Sequence, residues 1–344
     1  MKKEFARGLV VGKFCPLHRG HELVIRRAIA RCERVFVLSY TKPEYPDCAP
    51  RRREQWLATL FPETERLVLS EERLRASGGG PLPYNDDSEE THRKFVIWVC
   101  EHVWHTRVDA VFTSESYGEP FAATLARCFG SPVQHVSIDP TRDEVPISGS
   151  KLRLDVHRHR EMLAPAVYAS FVESVCLLGG ESSGKTTLAE ALARDWGTRW
   201  VPEFGRDLWV AKGGQLDYED LLVIGREQVA REEAARLHAS RFLFCDTSPL
   251  TTLFYSQEMF GKAEPELEAL ARRRYDHVVL CAPDFPFTQD GTRREPEFRE
   301  KQHAWYLREL QERQIPFVVA TGSLLQRTAM LREVMAPDWR RSFD

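Results

Sequence analysis

Short apolar runs alternate along this chain with segments in which apolar residues recur at helical spacing. Buried strands are predicted at 8–11, 35–40 and 108–113, and amphipathic helices at 22–32 and 92–105. The same pattern places further strands at 67–69, 175–178, 241–246 and 275–281, and further helices at 51–60 and 188–193. Strands that alternate with helices are typical of parallel sheets covered by helices. The sequence therefore predicts an α/β fold of doubly wound parallel sheets.

A glycine-rich turn follows the strand predicted at 175–178 and leads directly into a helix. The sequence at 179–187 has the spacing of a P-loop, G-x-x-x-x-G-K-[ST]. Gly179 and Gly184 let backbone N–H groups turn toward a polyphosphate. Lys185 adds a positive charge for the β- and γ-phosphates, and the Thr186 hydroxyl can ligate Mg²⁺. The residues predicted to bind a nucleoside triphosphate are Gly179, Gly180, Glu181, Ser182, Ser183, Gly184, Lys185, Thr186 and Thr187.

A second phosphate-binding turn is predicted near the start of the chain. The segment 12–21, Gly-Lys-Phe-Cys-Pro-Leu-His-Arg-Gly-His, lies between a predicted strand and a predicted helix. His18 and His21 then meet the positive end of that helix, an arrangement that suits an anionic phosphate. Behind G-x-F-x-P, the two histidines form the H-x-G-H signature of the nucleotidylyltransferase superfamily. Gly12, Lys13 and Phe14 are included in the predicted nucleotide site.

A partner motif occurs at 147–153, Ile-Ser-Gly-Ser-Lys-Leu-Arg. It resembles the I-S-x-T-x-x-R signature with which nucleotidylyltransferases hold the phosphates of ATP. Ser148 and Ser150 can cap a helix, and Arg153 presents a fork of N–H donors to phosphate oxygens. A plain helix cap is the simpler interpretation of the two serines on their own. Ser150 stands where threonine is commoner, a change that keeps the hydroxyl.

The length of 344 residues and the position of the P-loop favour two domains, at 1–171 and 172–344. The composition, 42% hydrophobic and 29% charged, is ordinary for a globular protein, and the net charge of −3 argues against a nucleic-acid partner. No apolar run is long enough for a membrane span, and the N-terminus lacks a signal-peptide core. The eight cysteines show no C-x-x-C spacing. A cytoplasmic location, without a membrane partner, is expected.

The second half carries acidic and basic residues at positions where P-loop kinases use them. Asp246 ends the strand predicted at 241–246, where such enzymes place a carboxylate linked to Mg²⁺ or to catalysis. Glu203 is a candidate to contact the acceptor nucleoside. The segment 287–294 is polar and basic and occupies the expected place of a lid, where Arg293 or Arg294 is the candidate to neutralise the transferred phosphoryl group.

Together these motifs resemble the bifunctional nicotinamide-nucleotide adenylyltransferase/ribosylnicotinamide kinase family, the NadR type. The resemblance covers nearly the whole chain and includes E-F-G-R at 203–206, D-T-x-x-x-T-T at 246–252 and D-G-T-R at 290–293. It implies a Rossmann-like nucleotidylyltransferase domain at 1–171 and a P-loop kinase domain at 172–344. Some family members begin with a helix-turn-helix domain, whereas here only about seven residues precede the first strand, so a DNA-binding role is not expected.

The resemblance implies two reactions. The second domain would phosphorylate ribosylnicotinamide to nicotinamide mononucleotide with ATP, and the first would transfer the AMP part of ATP to that mononucleotide, giving NAD and pyrophosphate. In the first site Lys13, His18, His21 and Arg153 would stabilise phosphate charge. In the second, Lys185 and Arg293 would do so, with Mg²⁺ held by Thr186 and Asp246. Either Asp246 or Glu203 would serve the acceptor hydroxyl.

Two alternatives stay open. The same folds could act on another phosphorylated acceptor and another nucleoside, or the chain could be a nucleotide-sensing regulator with weak kinase turnover. Intact Lys185, Thr186 and Asp246 argue against the pure sensor. The sequence leaves open the choice between nicotinamide and nicotinate and the oligomeric state. Four aromatic residues are candidates for ring stacking, and for each a core or surface role is the simpler interpretation: Trp56, Trp98, Tyr117 and Trp209.

Overall fold

A computed structural model of the chain describes residues 3–287 and 296–335. The chain forms two compact units, Met1–Phe171 and Val172–Asp344. Each unit is built around a five-stranded sheet in which paired strands run parallel. The predicted fold class, α/β with two doubly wound parallel sheets, is therefore confirmed.

The first unit has strand order β3-β2-β1-β4-β5. Its strands are β1 (Phe5–Gly12), β2 (Cys32–Ser39), β3 (Glu65–Val68), β4 (Ala110–Thr113) and β5 (Gln134–Ser137). Its helices are α1 (Arg19–Arg31), α2 (Pro50–Leu60), α3 (Glu71–Ala76), α4 (Glu89–His102), α5 (Gly118–Phe129), α6 (Gly149–Leu154) and α7 (Pro165–Tyr168). The chain moves outward from β1 to β3 and then returns to β4 on the other side of β1. This reversal leaves a crevice at the carboxyl end of β1, the usual ligand site of such sheets.

The second unit repeats the arrangement with strand order β10-β9-β6-β8-β7. Its strands are β6 (Glu173–Leu178), β7 (Arg199–Val201), β8 (Phe242–Asp246), β9 (His277–Cys281) and β10 (Val318–Ala320). Its helices are α8 (Lys185–Trp196), α9 (Phe204–Ala211), α10 (Tyr218–Arg236), α11 (Pro249–Phe260), α12 (Pro265–Leu270), α13 (Pro296–Glu312) and α14 (Leu324–Val334). The central strand β6 again opens a crevice at its carboxyl end, directly before the P-loop sequence.

The apolar pattern explains why these elements pack as they do. On α8 the buried residues are Leu188, Ala189, Leu192 and Ala193, which lie on one face at helical spacing. The central strand β6 is buried over nearly its whole length, as expected when helices cover both faces of a sheet. Within residues 3–287 and 296–335, no helix has the length and apolarity to cross a membrane.

Helix α4 lies about one turn earlier in the chain than predicted. The helix predicted at 92–105 begins at Glu89 and ends at His102. It starts earlier because the Ser88 hydroxyl accepts a hydrogen bond from the backbone N–H of Thr91, and two glutamates in the first turn favour the positive helix end. Val103, predicted to belong to the helix, is instead a partly buried residue after its end.

Candidate active sites

The first candidate site begins where β1 leaves the sheet at Gly12. Phe14 is buried in a left-handed conformation, with φ of 50°, and its ring packs edge-on against His21 at 5.0 Å between centroids. His18 is the N-cap of α1, and His21 lies in the first turn of that helix. The two imidazole rings stack, with centroids 3.6 Å apart. The predicted strand–turn–helix arrangement is present, with both histidines at the helix N-terminus.

Both histidines are uncharged at neutral pH. Burial, together with the charges of Arg142 and Arg153, lowers the pKa of His18 to about 4. Burial, His18 and Arg142 hold the pKa of His21 well below its usual range. In the part of the chain that the structure describes, the buried Nδ1 of His18 has no hydrogen-bond partner. Buried polar atoms in proteins normally have a hydrogen-bond partner, and a bound ligand could supply the one that Nδ1 of His18 lacks.

The second motif of this unit folds against the first. The Ser148 hydroxyl accepts a hydrogen bond from the backbone N–H of Lys151, so Ser148 is the N-cap of α6. Arg153 donates to the carbonyl oxygen of Cys15 at 2.7 Å and to the Ser150 hydroxyl at 2.9 Å. The bond to Cys15 joins segments 138 residues apart in sequence. Arg153 therefore connects the two signatures, and Ser148 has the helix-capping role that the simpler interpretation gave it.

Two adjoining cavities open at this edge of the first sheet. One, of about 380 Å³, is lined by both signatures, including Gly12, Phe14, His21, Ser150 and Arg153. The other, of about 220 Å³, is lined mainly by aromatic and apolar side chains. Four residues line both cavities: Val11, Gly12, Lys13 and Tyr117. The exposed Lys13 side chain therefore lies where the two cavities adjoin.

The second candidate site is the loop between β6 and α8. Gly179 has φ of 143° and Gly184 has φ of 81°, conformations that favour glycine. A Cβ atom on Gly180 would come 2.7 Å from the carbonyl oxygen of Arg299, which only a glycine avoids. Lys185 donates from Nζ to the carbonyl oxygens of Gly179 and Gly180 at 3.0 and 3.1 Å. The loop thus has P-loop geometry with its lysine folded back over it.

The remaining residues of the loop extend this cradle. The buried Ser183 donates from its hydroxyl to the carbonyl oxygen of Gly180 at 2.7 Å. Ser182 adopts a left-handed conformation with φ of 58°, and Thr187 lies in the first turn of α8. Glu181 accepts a hydrogen bond from the Tyr255 hydroxyl at 2.8 Å. Tyr255 belongs to α11, so its contact with the loop was not evident from sequence.

Thr186 and Asp246 meet at the base of this loop. The Thr186 hydroxyl donates to Oδ2 of Asp246 at 2.5 Å, and Asp246 is only 1% exposed. Its other oxygen, Oδ1, is buried and has no hydrogen-bond partner among the described residues. Hydroxyl and carboxylate oxygens are the ligands that Mg²⁺ prefers, so the pair fits that ion. Within residues 3–287 and 296–335 no group of three His, Cys, Asp or Glu could hold a metal ion.

A larger cavity, of about 580 Å³, adjoins the P-loop. Lys185 lies at one end, and Glu203, Arg206, Trp209 and Tyr255 line its walls. Glu203 is the N-cap of α9. Burial raises the pKa of its carboxyl against the opposing charge of Lys185, and burial likewise raises the pKa of the Asp246 carboxyl. The structure thus places Glu203 and Asp246 around one lysine but only Glu203 along the cavity wall.

Two arginines that sequence analysis did not single out lie at these sites. Arg142, between β5 and α6, lines the cavity of about 380 Å³. Arg327, on α14, is 1% exposed and donates to the carbonyl oxygen of Ser183 in the P-loop at 2.7 Å. Neither belongs to a glycine-rich or histidine-containing motif. The predicted lid arginine, Arg293, lies outside the described residues.

The four aromatic candidates divide into two pairs. Trp56 belongs to the core, where its indole donates to the Ser170 hydroxyl at 2.8 Å, and Trp98 packs partly buried against the core of the first unit. Tyr117 lines both cavities of the first site, and Trp209 lines the cavity beside the P-loop. The simpler interpretation therefore fits Trp56 and Trp98, while the other two face candidate ligand space.

The chain is similar in sequence to known proteins. Residues 174–327 match the family described as AAA domain. The chain is 29% identical over 308 residues to the trifunctional NAD biosynthesis/regulator protein NadR of Escherichia coli. The aligned region covers 83% of this chain and 71% of that protein. It is 28% identical over 309 residues to the protein of the same name from Salmonella typhimurium, with the same two shares.

The fold also resembles solved structures across both units. A NadR protein crystallised in complex with NAD and AMP-PNP superposes with a TM-score of 0.70 at 19% identity, covering 96% of this chain and 95% of that one. A NadR protein in complex with NR superposes with a TM-score of 0.69 at the same identity. At this identity the likeness establishes the fold of the chain.

Proposed function

Because the chain is homologous to the NadR proteins, we propose that it is a bifunctional enzyme of NAD biosynthesis. Residues 1–171 would transfer an adenylyl group from ATP to nicotinamide mononucleotide, and residues 172–344 would phosphorylate ribosylnicotinamide. The observation that carries the proposal is the pairing of two phosphate-binding turns, each at the carboxyl end of a central strand, in one chain. Both proposed reactions take place at a phosphate group of ATP, and both turns are suited to bind phosphate.

Adenylyl transfer is supported by the charges around the first turn. An oxygen of the mononucleotide phosphate would attack the α-phosphorus of ATP, and the bond from that phosphorus to the bridging oxygen would break. The departing pyrophosphate takes up negative charge. Lys13 and Arg153 supply positive charge at the cavity, while the neutral His18 and His21 offer N–H donors at a helix N-terminus.

Kinase activity is supported by the division of labour between two acids. The 5′-hydroxyl of ribosylnicotinamide must lose a proton as it attacks the γ-phosphorus. Glu203 lines the wall of the adjoining cavity and has a raised pKa, which suits a group that accepts a proton. Asp246 is bonded to Thr186 at the base of the P-loop. We therefore assign the acceptor hydroxyl to Glu203 and the metal to Asp246.

Mg²⁺ would be held by Thr186 and Asp246, whose unpaired Oδ1 gives the ion a ligand. When bound, it would neutralise charge on the β- and γ-phosphates. Lys185, now on the carbonyl oxygens of Gly179 and Gly180, would move onto those phosphates. Arg293 stays a proposed lid residue of the same step.

Each cavity beside a phosphate turn has room for a ring. The cavity of about 220 Å³, with Tyr40, His92 and Tyr117 on its walls, is the proposed site of the mononucleotide's pyridine ring. The cavity of about 580 Å³, with Trp209 and Tyr255, is the proposed site of ribosylnicotinamide. Flat aromatic walls suit a flat ring through stacking.

The proposal is tested by incubating the chain with ribosylnicotinamide, ATP and Mg²⁺ and following both products. We expect nicotinamide mononucleotide to form first and NAD to follow. Lys185→Ala should abolish mononucleotide formation but leave adenylyl transfer from supplied mononucleotide nearly unchanged, since linked domains keep separate cores. Absence of both products, with ATP intact, would refute the proposal. Equal loss of both reactions in Lys185→Ala would refute the division into two sites.

A further inference from the structure

The loop that joins β5 to α6 is folded to carry an arginine into the first site. The Asp139 carboxylate accepts hydrogen bonds from the backbone N–H groups of Asp143, Glu144 and Val145 at 2.7, 3.1 and 3.0 Å. Arg142 sits within this turn with φ of 60°, a left-handed conformation that residues other than glycine adopt uncommonly. Three bonds to one carboxylate thus hold Arg142 in a backbone conformation it would seldom adopt alone.

The guanidinium of Arg142 faces the phosphate cavity. It lines the same space of about 380 Å³ as Lys13, His21 and Arg153. Its positive charge also reaches the stacked histidines, since it contributes to the lowered pKa values of His18 and His21. The loop therefore adds a cation to the cavity that His21 of the H-x-G-H turn also lines.

Arg142 is held in place by a partner that it can exchange. Its Nη2 donates to Oε1 of Glu115 at 3.0 Å, and the two side chains are 42% and 49% exposed. Glu115 follows β4 and lines the same cavity. An exposed ion pair of this kind is weak in water. Arg153, in contrast, is bonded to the Cys15 carbonyl oxygen and to Ser150, contacts that connect the two motifs.

We propose that Arg142 is a catalytic residue of adenylyl transfer. Its guanidinium would break its ion pair with Glu115 and bind the β- and γ-phosphates of ATP, and then the departing pyrophosphate. The inference rests on the proposed function of the first unit. A polyphosphate carries more charge than one carboxylate and accepts both arms of the guanidinium fork, so the exchange of partners is favourable. Glu115 would then act as a latch that holds the cation ready in the free enzyme.

A neighbouring ion pair supplies the control. Arg27 on α1 contacts Glu144 of the same loop at 3.5 Å, and their side chains are 53% and 55% exposed. Neither residue is among those lining the cavity of about 380 Å³. Arg27→Ala thus removes an arginine contact to the loop without removing a cation from the site. A purely structural account of Arg142 expects similar behaviour from both variants.

The test measures both half-reactions on the full chain with Arg142→Ala, Arg142→Lys, Glu115→Gln and Arg27→Ala. Arg142→Ala should lower kcat for adenylyl transfer about 100-fold, as does loss of a donor to transition-state charge, and leave the kinase rate unchanged. Arg142→Lys should recover part of the rate. Glu115→Gln should lower KM for ATP in adenylyl transfer, because Arg142 no longer has to break an ion pair before it binds the phosphates. Arg27→Ala should match the unsubstituted chain.

Three outcomes would overturn the inference: a normal adenylyl rate in Arg142→Ala, equal loss of both reactions with a lower melting temperature, or an increased KM for ATP in Glu115→Gln. Calorimetric titration with pyrophosphate separates failure of this inference from failure of the proposed function. All variants in this titration also carry Lys185→Ala, which removes pyrophosphate binding at the P-loop. Arg142→Ala should then weaken pyrophosphate binding about tenfold or more, as loss of a charge-assisted contact implies. This holds even if the chain makes no NAD, and an unchanged affinity would count against Arg142.

Discussion

Arg327 gives the sharpest prediction about stability, because it is a buried cation whose partners are mostly carbonyl oxygens. It donates to the carbonyl oxygens of Ser183, Gly322 and Ala282 at 2.7, 3.0 and 3.0 Å. It also forms an ion pair with Asp284, and its guanidinium lies 4.3 Å from the ring centroid of Phe285. One side chain on α14 thereby ties the P-loop to the segment after β9.

We consider Arg327→Met, which keeps most of the buried volume and removes the donors. At about 1 kcal/mol for each lost bond to a carbonyl oxygen, the three bonds contribute about 3 kcal/mol. The ion pair adds about 1 kcal/mol, because Asp284 is 34% exposed and solvent screens it. A loss of roughly 4 kcal/mol lowers the melting temperature of a domain this size by roughly 8–16 °C.

The control is Arg332→Ala on the same helix. Arg332 pairs with Asp195 at 2.6 Å but is 56% exposed, so its loss should cost under about 1 kcal/mol. Scanning calorimetry of the full chain measures both variants, with adenylyl transfer as the readout of the first unit. We expect Arg327→Met to lower the transition of the second unit and weaken AMP-PNP binding there, with adenylyl transfer preserved. Equal melting of the two variants would refute the reasoning.

Three further predictions concern the sites themselves. His21→Ala should lower kcat for adenylyl transfer by two orders of magnitude or more, which corresponds to about 2.7–4 kcal/mol. If steady-state kinetics show an unchanged rate and the melting temperature is also unchanged, His21 has no part in the mechanism. Glu203→Gln should lower kcat for ribosylnicotinamide phosphorylation about 100-fold without changing the Mg²⁺ concentration that the reaction needs. Asp246→Asn should raise that Mg²⁺ concentration. The reverse result in a Mg²⁺ titration would make Asp246 the proton acceptor and Glu203 the metal ligand. Because the pKa of His18 is lowered to about 4 and that of His21 is held well below its usual range, NMR of labelled histidine should show the His18 ring neutral down to about pH 5 and neither ring titrating near 6.5. The first unit should lose stability as pH falls below about 6.5, where the unfolded chain binds the protons; titration of either ring near 6.5 would contradict this.

The sequence predicted both phosphate turns because each is a local structure. A strand, a glycine-containing turn and a helix lie within about twenty consecutive residues, and the motif spacing sets their geometry. The strands it missed are edge strands. In β5 only Val136 is buried, and β7 and β10 have three residues each, so they carry little apolar pattern.

Residues brought to the sites by tertiary packing could not be predicted in the same way. Tyr255 contacts Glu181 across 74 positions, and Arg327 contacts Ser183 across 144. Both lie on helices, where an aromatic or an arginine is ordinarily a packing or a surface residue. Arg142 had a weak signal, a polar loop placed between a strand and the second signature. Strand-end loops at the carboxyl edge of a parallel sheet often carry ligand-binding residues, which makes this position a candidate from sequence.

The proposed function accounts for the distribution of carboxylates between the two sites, because only one of the two proposed acceptors must lose a proton. A mononucleotide phosphate is already an anion and attacks without giving up a proton, so a base near it would only repel it. Among the described residues lining the cavity of about 380 Å³, Glu115 is the one acid, and Arg142 pairs with it. A ribose hydroxyl must give up its proton as it attacks. The cavity beside the P-loop accordingly has carboxylates on its walls, Glu203 among them, with a raised pKa. On the proposed function, the same fold class would support adenylyl transfer where cations and neutral imidazoles line the phosphate cavity, and phosphoryl transfer where a buried acid lines the acceptor cavity.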